Sequence, residues 1–274
     1  MTATMNDKAA DKGAATLVSY RKDGNIAIFE LNDPPANTYT HEMLLQLDAC
    51  ILKARFDNDV QVIILRGAGE KFFSAGANIK MLNEVDPVFK YYFCLHANET
   101  LSRLEQTPKL VIAALNGHCV GGGLEIAMAA DVRIAKEDAG KCGLPEVTLG
   151  VLPGTGGTQR LLRLIGKSKA IELMVTGRTF SFEEAKSLGI VNDVYPKADW
   201  WENVLLYARQ FCLPNKAAMA VGHIKRAVQS GGEVPLEYGL AMERELQSLL
   251  FKSSDAKEGL AAYMEKRIPA FKGK

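Results

Sequence analysis

The feature that most limits the fold is a set of apolar runs, VQVIILRG (60–67), LVIAALNG (110–117) and VRIA (132–135), in which aliphatic residues fill most positions. A half-exposed strand alternates apolar with polar side chains. Strands this continuously apolar are buried on both faces, as in a parallel sheet covered by helices. Residues 41–56 read as an amphipathic helix, and a long helical segment runs from about Pro87 to Glu105. Two β-like runs come first, TLVSYR (16–21) and NIAIFEL (25–31), and a turn at Asp23-Gly24 makes them a hairpin. From about Trp200 the strands stop. NKAAMAVGHIKRAVQSG, LEYGLAMERELQSLLF and DAKEGLAAYMEKR read as three successive helices, the last opened by Ser254-Asp255. The expectation is an α/β protein with a core over 16–200 and a helical region over 201–274.

The first 15 residues, MTATMNDKAADKGAA, mix Asp with Lys and lack both an apolar core and arginines. They fit neither a secretory signal nor a mitochondrial presequence and are expected to form a disordered tail. Across all 274 residues, 33 Lys and Arg nearly balance 32 Asp and Glu, which argues against a dedicated nucleic-acid surface. No apolar run reaches the roughly 18 residues a membrane helix needs. The five cysteines are scattered, with no CxxC pair and no metal-like spacing to histidine, so they read as reduced thiols of a cytoplasmic protein without a metal.

GHCVGGGLEIAMAADVRIA (117–135) places three glycines between an apolar strand and a helix. Such glycines often cradle phosphate, but a dinucleotide loop needs G-x-G-x-x-G, and the frame from Gly121 meets Ile126 at the last glycine. GTGGTQ (154–159) fails at Gln159, and no G-K-[ST] follows any glycine run. The alternative is a negative charge that exists only during reaction. An amide at a helix start points outward, and glycine lets a ligand approach it closely. An acyl oxygen lying there would be stabilised as charge developed on it, and such an oxyanion hole needs two donors. The loop FFSAGANIK ends a different strand, so Ala77 offers the second beside Gly122.

Two acids stand close to this chemistry in the sequence. Glu125 lies on the first helical turn, three residues past Gly122, near whatever that amide binds. Glu146, in GLPEVTLGVLPGTGGTQR, sits in a loop where Pro145 and Pro153 forbid regular helix. Two carboxyls in different surroundings have their proton affinities pushed apart, giving an acid and a base. On spacing alone, however, Glu125 equally reads as a first-turn acid favoured by the helix dipole, and Glu146 as a loop acid facing water. His118 reads as hydrogen-bonded packing rather than a base.

Together, KFFSAGANIKML, NGHCVGGGLEIAMAADVRIA and GLPEVTLGVLPGTGGTQRLLRLIG resemble the enoyl-CoA hydratase/isomerase (crotonase) superfamily, and TGRTFSFEEAKSLGIVNDVYP and EGLAAYMEKR resemble its later segments. The likeness runs from about Thr16 to the C-terminus. It implies a crotonase-like spiral of repeated ββα units with a C-terminal helical region that builds trimers or dimers of trimers. It also implies an acyl-CoA thioester substrate and no cofactor beyond the coenzyme A that enters with it. Ala77 and Gly122 match the oxyanion amides, and Glu125 and Glu146 the two acids of the hydratase branch. Ala75, Lys80 and Gly121 match substrate-binding positions, and Tyr263 and Lys266 match residues that reach CoA, usually from a neighbouring subunit. The implied reaction is reversible hydration of a trans-2-enoyl-CoA. Double-bond isomerisation on the same scaffold and, more weakly, RNA binding are the alternatives. Two departures stand out: Asn78 replaces the usual Asp, and EDAGKCGLPE is one residue longer than usual, with Cys142 in place of an aromatic. The acyl pocket is expected near Phe89, Tyr92, Phe93 and His96.

Overall fold

The computed structural model of the protein describes residues 15–274, so all of the expected tail but Ala15 lies outside the described residues. The chain begins with β1 (Val18–Asp23), β2 (Ile26–Leu31) and α1 (His41–Phe56). Next come β3 (Val62–Gly67), β4 (Phe72–Ser74), α2 (Ile79–Glu84) and α3 (Pro87–Glu105). Then follow β5 (Leu110–Leu115), β6 (His118–Val120), α4 (Gly122–Met128), β7 (Val132–Lys136) and β8 (Lys141–Gly143). A single 3-10 turn (Glu146–Leu149) leads into α5 (Gly157–Ile165), α6 (Lys167–Thr176), β9 (Phe180–Ser181), α7 (Phe182–Ser187) and β10 (Asp193–Tyr195). The chain closes with α8 (Trp200–Arg209), α9 (Ala218–Gly231), α10 (Leu236–Phe251) and α11 (Ser254–Glu265).

The strands form two sheets. Six lie in the order β1-β2-β3-β5-β7-β10, and four short ones in the order β4-β6-β8-β9. β1 and β2 make the antiparallel hairpin, while β2, β3, β5, β7 and β10 run parallel. The hairpin turn falls one residue later than expected. Asp23 pairs with Ile26, leaving Gly24-Asn25 as the loop, and Gly24 takes φ +57°, which costs glycine nothing. Each unit of the spiral sends one long strand into the six-stranded sheet and a short one into the four-stranded sheet before its helix. β3–β4, β5–β6 and β7–β8 all follow this plan.

Alternate residues of the long strands serve two cores, which is why the sequence runs are unbroken. Ala27, Phe29, Ile63, Leu65, Val111 and Ala113 face one cluster with α1, α3 and α4. Ile26, Ile28, Val62, Ile64, Ile112 and Ile134 face another, closed by Trp200, Val204, Leu205 and Ala208 of α8. The reading of the sequence had not placed a helix over 200–209. It opens at the expected 200/201 boundary yet packs as the outer layer of the core sheet.

Polar caps mark where helices begin. Thr40 accepts from the Met43 amide at the start of α1, and Asp86 accepts from Val88 and Phe89 at the start of α3, with Pro87 first in the helix. α11 opens with the expected Ser254-Asp255 pair, and the residue before it, Ser253, caps it by accepting from the Ala256 amide. Asp255 is buried and accepts from the Lys272 and Gly273 amides. α9 is fastened to the core by Lys225, whose ammonium reaches Asp131 at 2.8 Å and the Lys109 carbonyl at 3.0 Å. Among the described residues no helix is long and apolar enough to cross a membrane.

Candidate active site

β4, β6 and β8 are adjacent and parallel, so the segments leaving their C-terminal ends lie side by side. These segments carry Ala75–Asn78, Gly121–Glu125 and Pro145–Leu149 respectively. Stretches up to 66 residues apart in sequence are brought together by strand order alone.

The first loop is set by its backbone. The Tyr39 amide donates to the Gly76 carbonyl at 2.9 Å, and the Asn78 amide donates to the Tyr39 carbonyl at 3.0 Å. Tyr39 and Ala77 thus form a parallel bridge, in which the Ala77 N–H points to the side away from Tyr39. Among the described residues the amides of Ala77 and Gly122 donate to no backbone carbonyl. The two loops touch closely. A Cβ at Gly76 would lie 2.7 Å from the Gly122 nitrogen, and one at Gly122 would lie 2.3 Å from the Tyr39 hydroxyl. Only glycine permits that approach, so the glycines at 76 and 122 are space requirements of the site.

Glu125 is 2% exposed. Its Oε1 accepts from the Thr155 and Gly157 amides, each at 2.7 Å. The GTGG run that fails as a nucleotide motif therefore does hold an anion, the carboxylate of this protein's own glutamate. Burial pushes the Glu125 carboxyl above the usual carboxylate range, and these two amides oppose the rise. Glu146 opens the 3-10 turn after Pro145, which corrects the expectation of an irregular loop. Pro145 sits outside the turn and contributes no amide that needs a partner. The Glu146 carboxyl lies over Gly121, with Oε1 3.0 Å from where a Cβ at 121 would stand. Its Oε2 is buried without a hydrogen-bond partner. Burial first, and the nearby Glu125 charge in addition, raise its pKa to about 7. Two unoccupied amides thus sit beside two carboxyls, one locked by backbone donors and one poised near neutrality.

The remaining expected positions divide. Ala75 and Gly121 lie in this cluster, Ala75 half-buried and its amide tied to the Ala36 carbonyl. Lys80 is exposed on α2, one turn past the first loop. Tyr263 (83% exposed) lies on α11, which packs on α10, and Lys266 is that helix's C-cap. Asn78 caps α2 by accepting from the Met81 amide, a role an Asp would also fill. Cys142 is fully buried opposite Cys119 and belongs to the core, its thiol pushed up to about 12 by burial. His118 accepts from the Lys141 amide at 3.1 Å and packs against the Phe72 ring, tilted at 43°. Of the expected pocket aromatics, Phe93 is buried on the Tyr39 ring, whereas Tyr92 points outward at 61% exposure. Neither Tyr39 nor Thr155 stands out in the sequence. Their only signals are an aromatic behind the PP turn and a hydroxyl inside a glycine run. Among the described residues no cluster of three His, Cys, Asp or Glu could hold a metal ion.

The short parallel strands of the spiral thus end in two amides without backbone partners, beside one buried and one half-buried carboxyl. Comparison with known proteins gives the class. The family model for enoyl-CoA hydratase/isomerase matches residues 21–274. A probable enoyl-CoA hydratase of Bacillus subtilis is 38% identical, covering 93% of this chain and 98% of the relative. A short-chain-enoyl-CoA hydratase of Clostridium acetobutylicum is also 38% identical, covering 94% and 98%. A crystal structure from Geobacillus kaustophilus, under the name enoyl-CoA hydrates, superposes with a TM-score of 0.92 at 48% identity, covering 95% and 98%. The chain belongs to the enoyl-CoA hydratase/isomerase family.

Proposed function

We propose that the protein is an enoyl-CoA hydratase that adds water reversibly across the C2=C3 bond of a trans-2-enoyl-CoA, giving the 3-hydroxyacyl-CoA. The observation that carries this is the pairing of Glu125 and Glu146 beside the two free amides. An isomerase needs one shuttling acid, whereas hydration uses two at once. In this reading the Ala77 and Gly122 amides bind the thioester oxygen, which draws electron density from C3 and stabilises the enolate formed as water attacks. Glu125, fixed by the Thr155 and Gly157 amides, takes the proton from water as its oxygen bonds to C3. Glu146, whose pKa of about 7 leaves a large share of it protonated near neutrality, gives a proton to C2. Afterwards the proton on Glu125 passes back to the ionised Glu146, so over a full turnover water supplies both the hydroxyl and the hydrogen added.

Ala75, Gly121 and Lys80 line the CoA end of the same site, and Tyr263 and Lys266 serve the site of a neighbouring copy. That requires a homo-oligomer, a trimer or a dimer of trimers. The many large apolar residues exposed on the last helices support it, including Leu236, Tyr238, Phe251 and Met264. The five unpaired cysteines support a reducing, cytoplasmic location.

Incubating crotonyl-CoA and a 3-enoyl-CoA separately tests the reading. The expected result is conversion of crotonyl-CoA to 3-hydroxybutyryl-CoA with little turnover of the 3-enoyl thioester. Migration of the double bond without hydration would contradict it.

A further inference from the structure

Tyr39 meets the Ala77 loop, Gly122 and Thr155. Its backbone forms the bridge that turns the Ala77 N–H outward. Its ring edge lies where a side chain at Gly122 would be, 2.4 Å from such a Cβ at Cε1. Its hydroxyl is 2.8 Å from Thr155 Oγ1. Thr155 is itself a junction: its amide donates to Glu125 Oε1, and its carbonyl accepts from Arg160 at 3.1 Å. Arg160 in turn is paired through two hydrogen bonds with Glu105 of α3, at 2.8 and 2.6 Å. Phe93 of α3 stacks on the Tyr39 ring at 5.8 Å between centroids. Tyr39 is 2% exposed and Thr155 3%, so no water competes for the bond between their hydroxyls.

We propose that Tyr39 is a positioning residue that ties the oxyanion loops to Glu125 through the Tyr39–Thr155 hydrogen bond, holding the base at a fixed distance from the amides. This rests on the hydratase reading above. Burial, with the Glu125 charge close by, pushes the Tyr39 phenol up, so the hydroxyl stays protonated. A displaced base loses rate steeply, because reacting atoms must be aligned to a fraction of an ångström. The bond acts on Glu125 and not on thioester affinity, so its loss belongs in kcat.

The test is steady-state hydration of crotonyl-CoA, over pH, by wild type, Tyr39→Phe, Thr155→Val, Thr155→Ser and the Tyr39→Phe/Thr155→Val double variant. Tyr39→Phe is expected to lower kcat about tenfold with KM within about twofold. Thr155→Val should match it, Thr155→Ser should restore wild-type rate, and the double variant should be no worse than either single. The acid limb of the pH profile should also move upward in Tyr39→Phe, because looser amides hold the Glu125 anion less well. Unchanged kcat and acid limb in Tyr39→Phe, multiplying effects in the double variant, or failure of Thr155→Ser to rescue would overturn the proposal. So would a kcat loss that merely follows loss of folded protein in circular dichroism. If wild type hydrates no enoyl thioester, the hydratase reading itself fails and this inference falls with it.

Discussion

At the scale of single residues, the site works by treating two glutamates differently. Glu125 gives one oxygen to two backbone amides, while Glu146 has a buried oxygen with no partner. The sign of the pH response follows. In the proposed mechanism Glu146 is the proton donor and must be protonated, so kcat/KM should fall as pH rises through about 7. As the base, Glu125 must be ionised, so kcat/KM should also fall on the acid side. Glu146→Gln should abolish the alkaline limb. The same substitution should stabilise the fold at pH 8, where ionised Glu146 is buried at a cost, and change little at pH 5, where it is already protonated. Thermal melting of wild type and Glu146→Gln at the two pH values checks this, and equal melting shifts at both would count against it. Glu125 and Glu146 were readable from the chain only as candidates. Glu146 stands between apolar neighbours, and Glu125 follows the glycines, although on spacing alone it also reads as a first-turn acid. The amides that hold Glu125 were not, since a backbone N–H leaves no mark in the sequence. GTGG was visible only as a motif that failed.

Among elements, the long strands were the most legible, because burial on both faces makes them apolar at every position. α1 and α3 were found with their ends intact, each marked by a cap, Thr40 and Asp86. The two- and three-residue strands of the second sheet were missed, being too short to show a period, and they are what aligns the site. α8 was missed because its apolar face reads as scattered Trp and Leu after a turn. It is the lid of the second core, and Trp200 is 4% exposed within it. Trp200→Ala should therefore cost about 3–5 kcal/mol in urea unfolding. kcat should survive at 25 °C, because α8 covers the sheet face opposite α4. A loss under about 1 kcal/mol would show that α8 does not close the core.

For the whole molecule, the spiral explains how one chemistry is assembled from distant sequence. Neighbouring short strands release their loops at one edge, and the six-stranded sheet with its two cores keeps that edge rigid. The helical C-terminal region is docked through the buried Lys225–Asp131 pair, which leaves its outer apolar residues exposed. The resemblance carried by the sequence blocks conveyed this architecture well, since several blocks in a fixed order specify a fold. The most direct measurement is the rate of crotonyl-CoA hydration by wild type, Glu125→Gln and Glu146→Gln under saturating substrate. Each substitution is predicted to lower kcat by about 100-fold or more, the usual contribution of a positioned acid or base. Near-wild-type hydration by both variants would contradict the two-acid site.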